Sequence, residues 1–339
     1  MSSRFLLSLP ELCYPFQNFV ILSRPVLSRS GFCITYSLQR IADRVVLRIF
    51  VLLKLRIITA LCLIPLVLGA IFLLPLPYFS LFLGGVFLLA AQEWGHFIEP
   101  ERASVTMVSL ALILFGTMAF MPYEALWLSY EPVAAGLREP AVWLFAATGV
   151  WWLAALGLVV TYPKSGALWR ENLGLKSIFA LFTLVPFYWA VVTLRTYHYD
   201  DNPLYGAWLL LFVMGLVWAA DTGAYFTGKA LGKRKLCPNV SPGKTLEGML
   251  GGVVAAVVLA LVVTQAVDLD AHTRWAVLVA SVVAVLASVL GDLTESMFKR
   301  EAGLKDSGNI LPGHGGIMDR IDSLTAALPV FVITVWLLS

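Results

Sequence analysis

The sequence predicts an all-α, polytopic integral membrane protein with about nine transmembrane helices. Three observations carry that expectation. Of the 339 residues, 59% are apolar and only 13% charged. The mean hydropathy is +0.83. Runs of roughly 20 mainly apolar residues, the length a bilayer span requires, recur with short polar gaps from residue 57 onward. This composition excludes a soluble enzyme, a secreted disulfide scaffold and a nucleic-acid binder. The net charge of +3 is small, so what matters is where the charges sit.

Apolar runs bounded by charge, Pro or Gly place the spans at roughly 57–74, 78–92, 103–121, 141–161, 177–194, 204–220, 249–267, 274–291 and 323–338. The second has the least defined edges. With the N-terminus in the cytoplasm, nearly every basic residue of the spanning region falls on the cytoplasmic side, and only Arg138, Arg195 and Arg274 fall outside. The outer loops carry acids instead, among them Glu124, Glu131, Glu139, Asp200, Asp201, Asp268 and Asp270. Cys13, Cys33, Cys62 and Cys237 lie far apart without a C-x-x-C spacing and read as unpaired thiols.

Residues 1–52 differ in kind. They mix Ser, Arg, Pro and apolar residues without the charged start, apolar core and small-residue cleavage site of a signal peptide. They read as an N-terminal extension, and two readings stay open. Either they belong to the working protein, or translation starts near Val51, since the next methionine after Met1 is Met107, inside the third span. Residues 53–339 form the transmembrane domain, with chemistry expected in its C-terminal part, about 204–339.

Polar residues at membrane depth are costly, and this chain concentrates them in two stretches, 221–248 and 291–323. Both fall on the cytoplasmic side, two spans apart, so they can face one another. In the first, Lys229, Lys233, Arg234, Lys235 and Lys244 alternate with glycines and the hydroxyls of Ser241 and Thr245. That is either a cradle for a polyphosphate or a loop that merely fixes topology. Gly243-Lys244-Thr245 is not a Walker A loop, because the position of its first glycine holds Pro238 and no strand is expected before it.

In the second stretch Asp319 and Asp322 are spaced to share a helical face, and Asp292 and Glu295 repeat the spacing. Four carboxylates mixed with Lys299, Arg300, Lys305 and Arg320 fit a Mg²⁺ and phosphate site, or a solvated network of ion pairs. His314, between glycines, suits a general base, a phosphate donor or a turn residue. His96, His198 and His272 are isolated at span edges. Glu93 is either a buried functional acid or the end of the second span.

The run Ser296-x-Phe298-Lys299-Arg300-x₄-Lys305-Asp306-x-Gly308-x₂-Leu311-Pro312-x-His314-Gly315-Gly316-x₂-Asp319-Arg320-x-Asp322 resembles the signature of the phosphatidate cytidylyltransferases, also called CDP-diacylglycerol synthases. Upstream, Asp221-x₂-Ala224-Tyr225-x₂-Gly228-x₃-Gly232 and Ser241-Pro242-x-Lys244-Thr245-x-Glu247-Gly248 look like the same family. The similarity covers about residues 53–339. The resemblance implies an all-helical transferase, expected as a homodimer, that acts on CTP and phosphatidate with Mg²⁺ at the cytoplasmic face of a bacterial inner membrane. The products would be CDP-diacylglycerol and pyrophosphate.

Carried over residue by residue, the resemblance makes Asp292, Asp319 and Asp322 cation ligands, for one Mg²⁺ or two cations. With Lys299, Arg300, Lys305, Arg320 and His314 they form the expected catalytic set. Asp221, Ser241, Lys244, Thr245, Glu247 and Ser296 form the expected substrate-binding set. A rival of another class is a transporter or flippase with ion-coupling acids, which predicts polar residues near the midplane and broken helices in paired halves. A nearer rival is a CTP-using kinase, or a cytidylyltransferase for another lipid phosphate.

Overall fold

The computed structural model of the chain describes residues 54–121 and 139–338. The extension 1–52, with Cys13 and Cys33, lies outside the described residues, as do Glu124, Glu131 and Arg138. Among the described residues nine helices are long and apolar enough to cross a membrane. They are α1 (Lys54–Leu73), α2 (Leu76–Ile98), α3 (Ala103–Met118, entered through a 3₁₀ turn at Pro100–Arg102), α4 (Glu139–Thr161), α6 (Leu173–Thr196), α7 (Tyr205–Leu231), α8 (Leu246–Ala266), α9 (Ala271–Glu301) and α10 (Met318–Leu338). A four-residue helix, α5 (Gly166–Trp169), sits between α4 and α6. Helices satisfy their own backbone groups, which hydrocarbon cannot do for them. Local signals start several of them: Asn172 caps α6 by accepting from Leu175 N–H at 3.0 Å, and the Asp270 carboxylate caps α9 by accepting from the N–H groups of His272 and Thr273.

The spans coincide with the apolar runs except at the end that carries the basic loops. There α2, α7 and α9 continue to Ile98, Leu231 and Glu301, past the positions near 92, 220 and 291 where the hydropathy falls. A charge ends an apolar run but not a helix. No proline or helix-stopping turn follows Glu93, Asp221 or Asp292, and Glu, Lys and Arg are good helix formers. The carboxylates are therefore displayed on rigid helical extensions instead of on loops.

The core centres on α6, which is buried around most of its circumference. Its Arg195 is 2% exposed. The guanidinium donates to the carbonyls of Ile71 (2.9 Å), Pro203 (2.8 Å) and Leu74 (3.4 Å) and lies 5.3 Å from the Tyr199 ring centroid. It thus caps the open carbonyls at the end of α1. This explains a cation on the side of the bundle where basic residues are otherwise scarce.

A hairpin of two short antiparallel strands, β1 (Lys235–Cys237) and β2 (Ser241–Thr245), joins α7 to α8. It pairs Lys235 with Thr245 and Cys237 with Ser241. The sequence reading contained no strand here, so the case against a Walker A loop now rests on Pro238 alone. Both flanking helices pack through small residues: a Cβ added to Gly252 of α8 would lie 2.7 Å from the Ala220 carbonyl oxygen of α7. Close backbone approach of this kind is how helices associate where lipid offers no hydrophobic drive. We predict that Gly252→Leu destabilises the protein by about 1–3 kcal/mol through overpacking. Gly116→Leu, at a position with open space around it, should leave the unfolding midpoint in detergent unchanged.

Candidate active site

The polar residues gather at the end of the bundle where α7, α8, α9 and α10 meet. Helix α9 supplies Asp292, Glu295, Ser296, Lys299 and Arg300. Their spacing places them along one face over two turns. Asp292 lies within electrostatic reach of Asp221 on α7 and Asp322 on α10. Its carboxylate forms an ion pair with Lys244 of β2 and accepts from the Ser296 hydroxyl at 3.2 Å. The approach of α9 to α10 depends on Gly291, where a Cβ would come 2.5 Å from the Asp322 carbonyl oxygen.

Asp221, Lys244, Thr245 and Asp292 line one cavity of about 410 Å³, together with Tyr225 and Ser323. Its floor is apolar, built by residues such as Ala220, Met249, Val285 and Val289. Polar groups therefore sit above an apolar floor between membrane helices. Thr245 has a structural duty there as well: its side chain caps α8, accepting from Gly248 N–H at 3.1 Å.

A second group forms beside the first. Lys299 Nζ is 2.5 Å from Glu295 Oε2 and 2.8 Å from Asp319 Oδ1. Asp319 Oδ2 accepts from the backbone N–H groups of Ser307 (3.0 Å) and Gly316 (2.8 Å). The Asp319 carboxylate thus ties the 303–317 loop to α9. Asp322 accepts from the N–H of Ser323 at 2.6 Å.

Glu93 on α2, 2% exposed, completes this anchoring. It accepts from Ser307 Oγ (2.8 Å), Ile317 N–H (3.0 Å) and Met318 N–H (2.8 Å). Of its two sequence readings, the structure realises the buried acid, in a structural role. The only signal in the sequence was an acid inside a helix-forming run. Its partners lie more than two hundred residues away.

Other expected site residues serve the frame. Glu247 accepts from the N–H groups of Lys233 and Arg234, both at 3.1 Å, and from Arg234 Nε at 3.0 Å, which closes the base of the hairpin. Arg300 Nε donates to the Val240 carbonyl at 3.3 Å, and its neighbour Glu301 takes Arg170 in two hydrogen bonds of 2.5 and 3.0 Å. Ser241 pairs in the hairpin and does not line the cavity. Lys305, His314 and Arg320 belong to the loop and the first turn of α10, away from the cavity lining.

The His314 turn is held from α1, with Arg56 Nε donating to the Gly313 carbonyl and Thr59 Oγ1 to that of Pro312, both at 2.9 Å. Burial, and then the Arg320 charge, push the imidazole below its ordinary pKa. Lys229, one of the cations of the expected polyphosphate cradle, lines the cavity, as do Tyr225 and Ser323, which were outside the expected catalytic and substrate-binding sets.

Among the described residues no three His, Cys, Asp or Glu side chains form a ready metal cage. Mg²⁺ does not require one. It binds through one or two carboxylates, with waters and substrate phosphates completing its octahedron. The neighbouring Asp221, Asp292 and Asp322 fit that donor set. The polar residues lie at span ends and not at the midplane, unlike the expectation for an ion-coupled transporter. We predict that Glu93→Ala, which strands three buried donors, lowers stability by about 3 kcal/mol or more, read as a drop in the thermal midpoint of the purified protein. Glu99→Ala, on a half-buried acid whose ion pair is with the exposed Arg102, should change it by less than about 0.5 kcal/mol.

The model of the cytidylyltransferase family matches residues 54–338. A phosphatidate cytidylyltransferase of Haemophilus influenzae is 46% identical over 288 residues, covering 83% of this chain and 97% of the relative. One from Pseudomonas aeruginosa is 44% identical over 292 residues, covering 84% and 97%. Another from Staphylococcus saprophyticus is 34% identical over 244 residues, covering 66% and 92%. The chain belongs to the cytidylyltransferase family.

Proposed function

We propose that this protein is a phosphatidate cytidylyltransferase, transferring the cytidylyl group of CTP to phosphatidate to give CDP-diacylglycerol and pyrophosphate. The observation that carries the reading is the cavity holding Asp221, Lys244 and Asp292 over an apolar floor, in a chain that spans nearly the full length of relatives bearing that name. The phosphate monoester of phosphatidate is already an anionic nucleophile. One of its oxygens attacks the α-phosphorus of CTP, a new P–O–P bond forms, and the bond to the bridging α–β oxygen breaks to release pyrophosphate.

No strong base is needed, so the protein's task is to place two polyanions in line and offset their repulsion. Lys244 is positioned to take phosphate oxygens at the cavity. Lys299, held between two acids, adds positive charge beside it. Arg300 acts through the hairpin backbone, fixing the strand from which Lys244 reaches in. Asp292 and Asp322, with Asp221 beside them, are the proposed holders of Mg²⁺, which when bound would supply charge compensation to the phosphate oxygens. Asp319, the third ligand expected from the resemblance, has both oxygens engaged by Lys299 and the loop amides and would position Asp322. The apolar floor leaves the acyl chains in lipid while the nucleotide arrives from water.

The proposal extends to location and assembly. The basic residues cluster at the site end of the bundle, and by the positive-inside rule this supports a cytoplasmic active site. The bacterial relatives support a bacterial cytoplasmic, or inner, membrane as the proposed location. The homodimer rests on the family resemblance.

The test is incubation of the detergent-solubilised protein with phosphatidate and radiolabelled CTP, with and without chelator. Label should enter the lipid phase with equimolar pyrophosphate, and chelation should stop it. Asp292→Asn should lower turnover by about 10²–10³-fold, the order expected when one charge-stabilising group is lost, with an unchanged melting profile. Near-normal turnover in that variant would remove Asp292 from the mechanism. Pyrophosphate without labelled lipid would replace transfer by nucleotide hydrolysis.

A further inference from the structure

The wall of the cavity has one feature that phosphate chemistry does not use. Tyr225 stands one turn after Asp221 and one turn before Lys229 on the same face of α7, and all three line the cavity. Tyr225 is 61% exposed. Lys229 Nζ lies 5.7 Å from the ring centroid, and Lys244 belongs to the same lining. The next residue, Phe226, is as exposed, at 64%, and meets the Tyr225 ring edge-on with centroids 5.4 Å apart. It is not among the residues of the cavity wall.

An aromatic residue that only anchors a helix at the bilayer interface has no reason to face a polar cavity. Phe226 fits that duty and Tyr225 does not. The two substrates of the proposed reaction differ in the one property an exposed ring can read. Both carry phosphate, but only the nucleotide has a flat π-system. A ring with cations beside it offers a stacking surface and phosphate neutralisation at once.

We propose that Tyr225 is the stacking platform for the nucleotide base, with Lys229 beside it for the nucleotide's phosphates, which makes Tyr225 a determinant of nucleotide binding and not of lipid binding. The inference rests on the reading of the cavity as a nucleotidyl-transfer site. It also assigns the two substrates to opposite parts of that cavity: the base lies against α7, and the lipid phosphate approaches from the α9 side with its tail on the apolar floor.

Steady-state kinetics of Tyr225→Ala, Tyr225→Phe and Phe226→Ala, together with CTP-induced thermal stabilisation measured without lipid, test this. Tyr225→Ala should raise KM for CTP about 10-fold or more, leave KM for phosphatidate within about 2-fold, and lose most of the CTP-induced stabilisation. Tyr225→Phe, which keeps the ring, should rescue both readouts, and Phe226→Ala should match the wild type. An unchanged CTP response in Tyr225→Ala overturns the inference, as does a rise confined to KM for phosphatidate, which would make the residue a lipid contact. If the wild type is stabilised by CTP but makes no CDP-diacylglycerol, the reaction fails while the stabilisation of the variants still decides Tyr225. A wild type that does not respond to CTP overturns both.

Discussion

The polar end of this protein depends on two carboxylates, Glu93 and Asp319, both turned into backbone N–H groups. A buried carboxylate costs several kcal/mol unless its charge is met by donors. The start of a helix offers such donors, because its first N–H groups have no partner within the helix and carry the positive end of its dipole. Glu93 accepts from Ile317 and Met318, and Asp319 from Ser307 and Gly316. Ser307 joins the two by donating its hydroxyl to Glu93 and accepting from Asp319 N–H at 3.3 Å. Helix α2, the 303–317 loop and the start of α10 are thereby locked as one piece, and the position of Asp322 one turn further on follows from it.

That lock creates an electrostatic problem which the rest of the site must solve. Lys299 is shared between Glu295 and Asp319 and Lys244 is paired with Asp292, which leaves Asp221 and Asp322 without an ion pair among the described residues. A site for anionic substrates that carries more acids than bases repels what it must bind. The excess acids make sense where a divalent cation joins the substrates, since carboxylates then hold the ion and the ion holds phosphate. This charge balance is the physical support for the proposed Mg²⁺, and it is independent of any motif.

Much of this was legible in the sequence, and the parts that were not share a cause. Nine spans could be read from hydropathy because lipid imposes one simple rule on them. Their polar-end boundaries could not, since hydropathy stops at Asp221 and Asp292 while the helices run on to Leu231 and Glu301. The acids and bases of 291–323 were recognisable as a set, but not who pairs with whom. Asp319 and Asp322 look alike in sequence, yet one is engaged by Lys299 and the loop amides and the other adjoins Asp292. Arg300 and Glu247 carry charge, which suggests chemistry, while in the structure they hold the hairpin. Local sequence reports the residue type; long-range packing decides its duty.

The hairpin and the small residues of α7 and α8 answer a requirement set by the reactants. One substrate is confined to the bilayer and the other to water, so reacting atoms can meet only where a polar wall and an apolar floor adjoin. Close packing of α7 against α8 through residues such as Gly252 removes side-chain bulk between the two helices, and the cavity floor is built from Ala220 of α7, Met249 of α8, and Val285 and Val289 of α9. The polar wall cannot come from the same helices at the same depth, because charged side chains facing lipid are expensive. It is supplied instead from helical extensions beyond the apolar runs and from a β-strand folded back over the cavity, which brings Lys244 to Asp292. The apolar part of the bundle therefore sets where the site lies, and the extensions and hairpin set what it can bind.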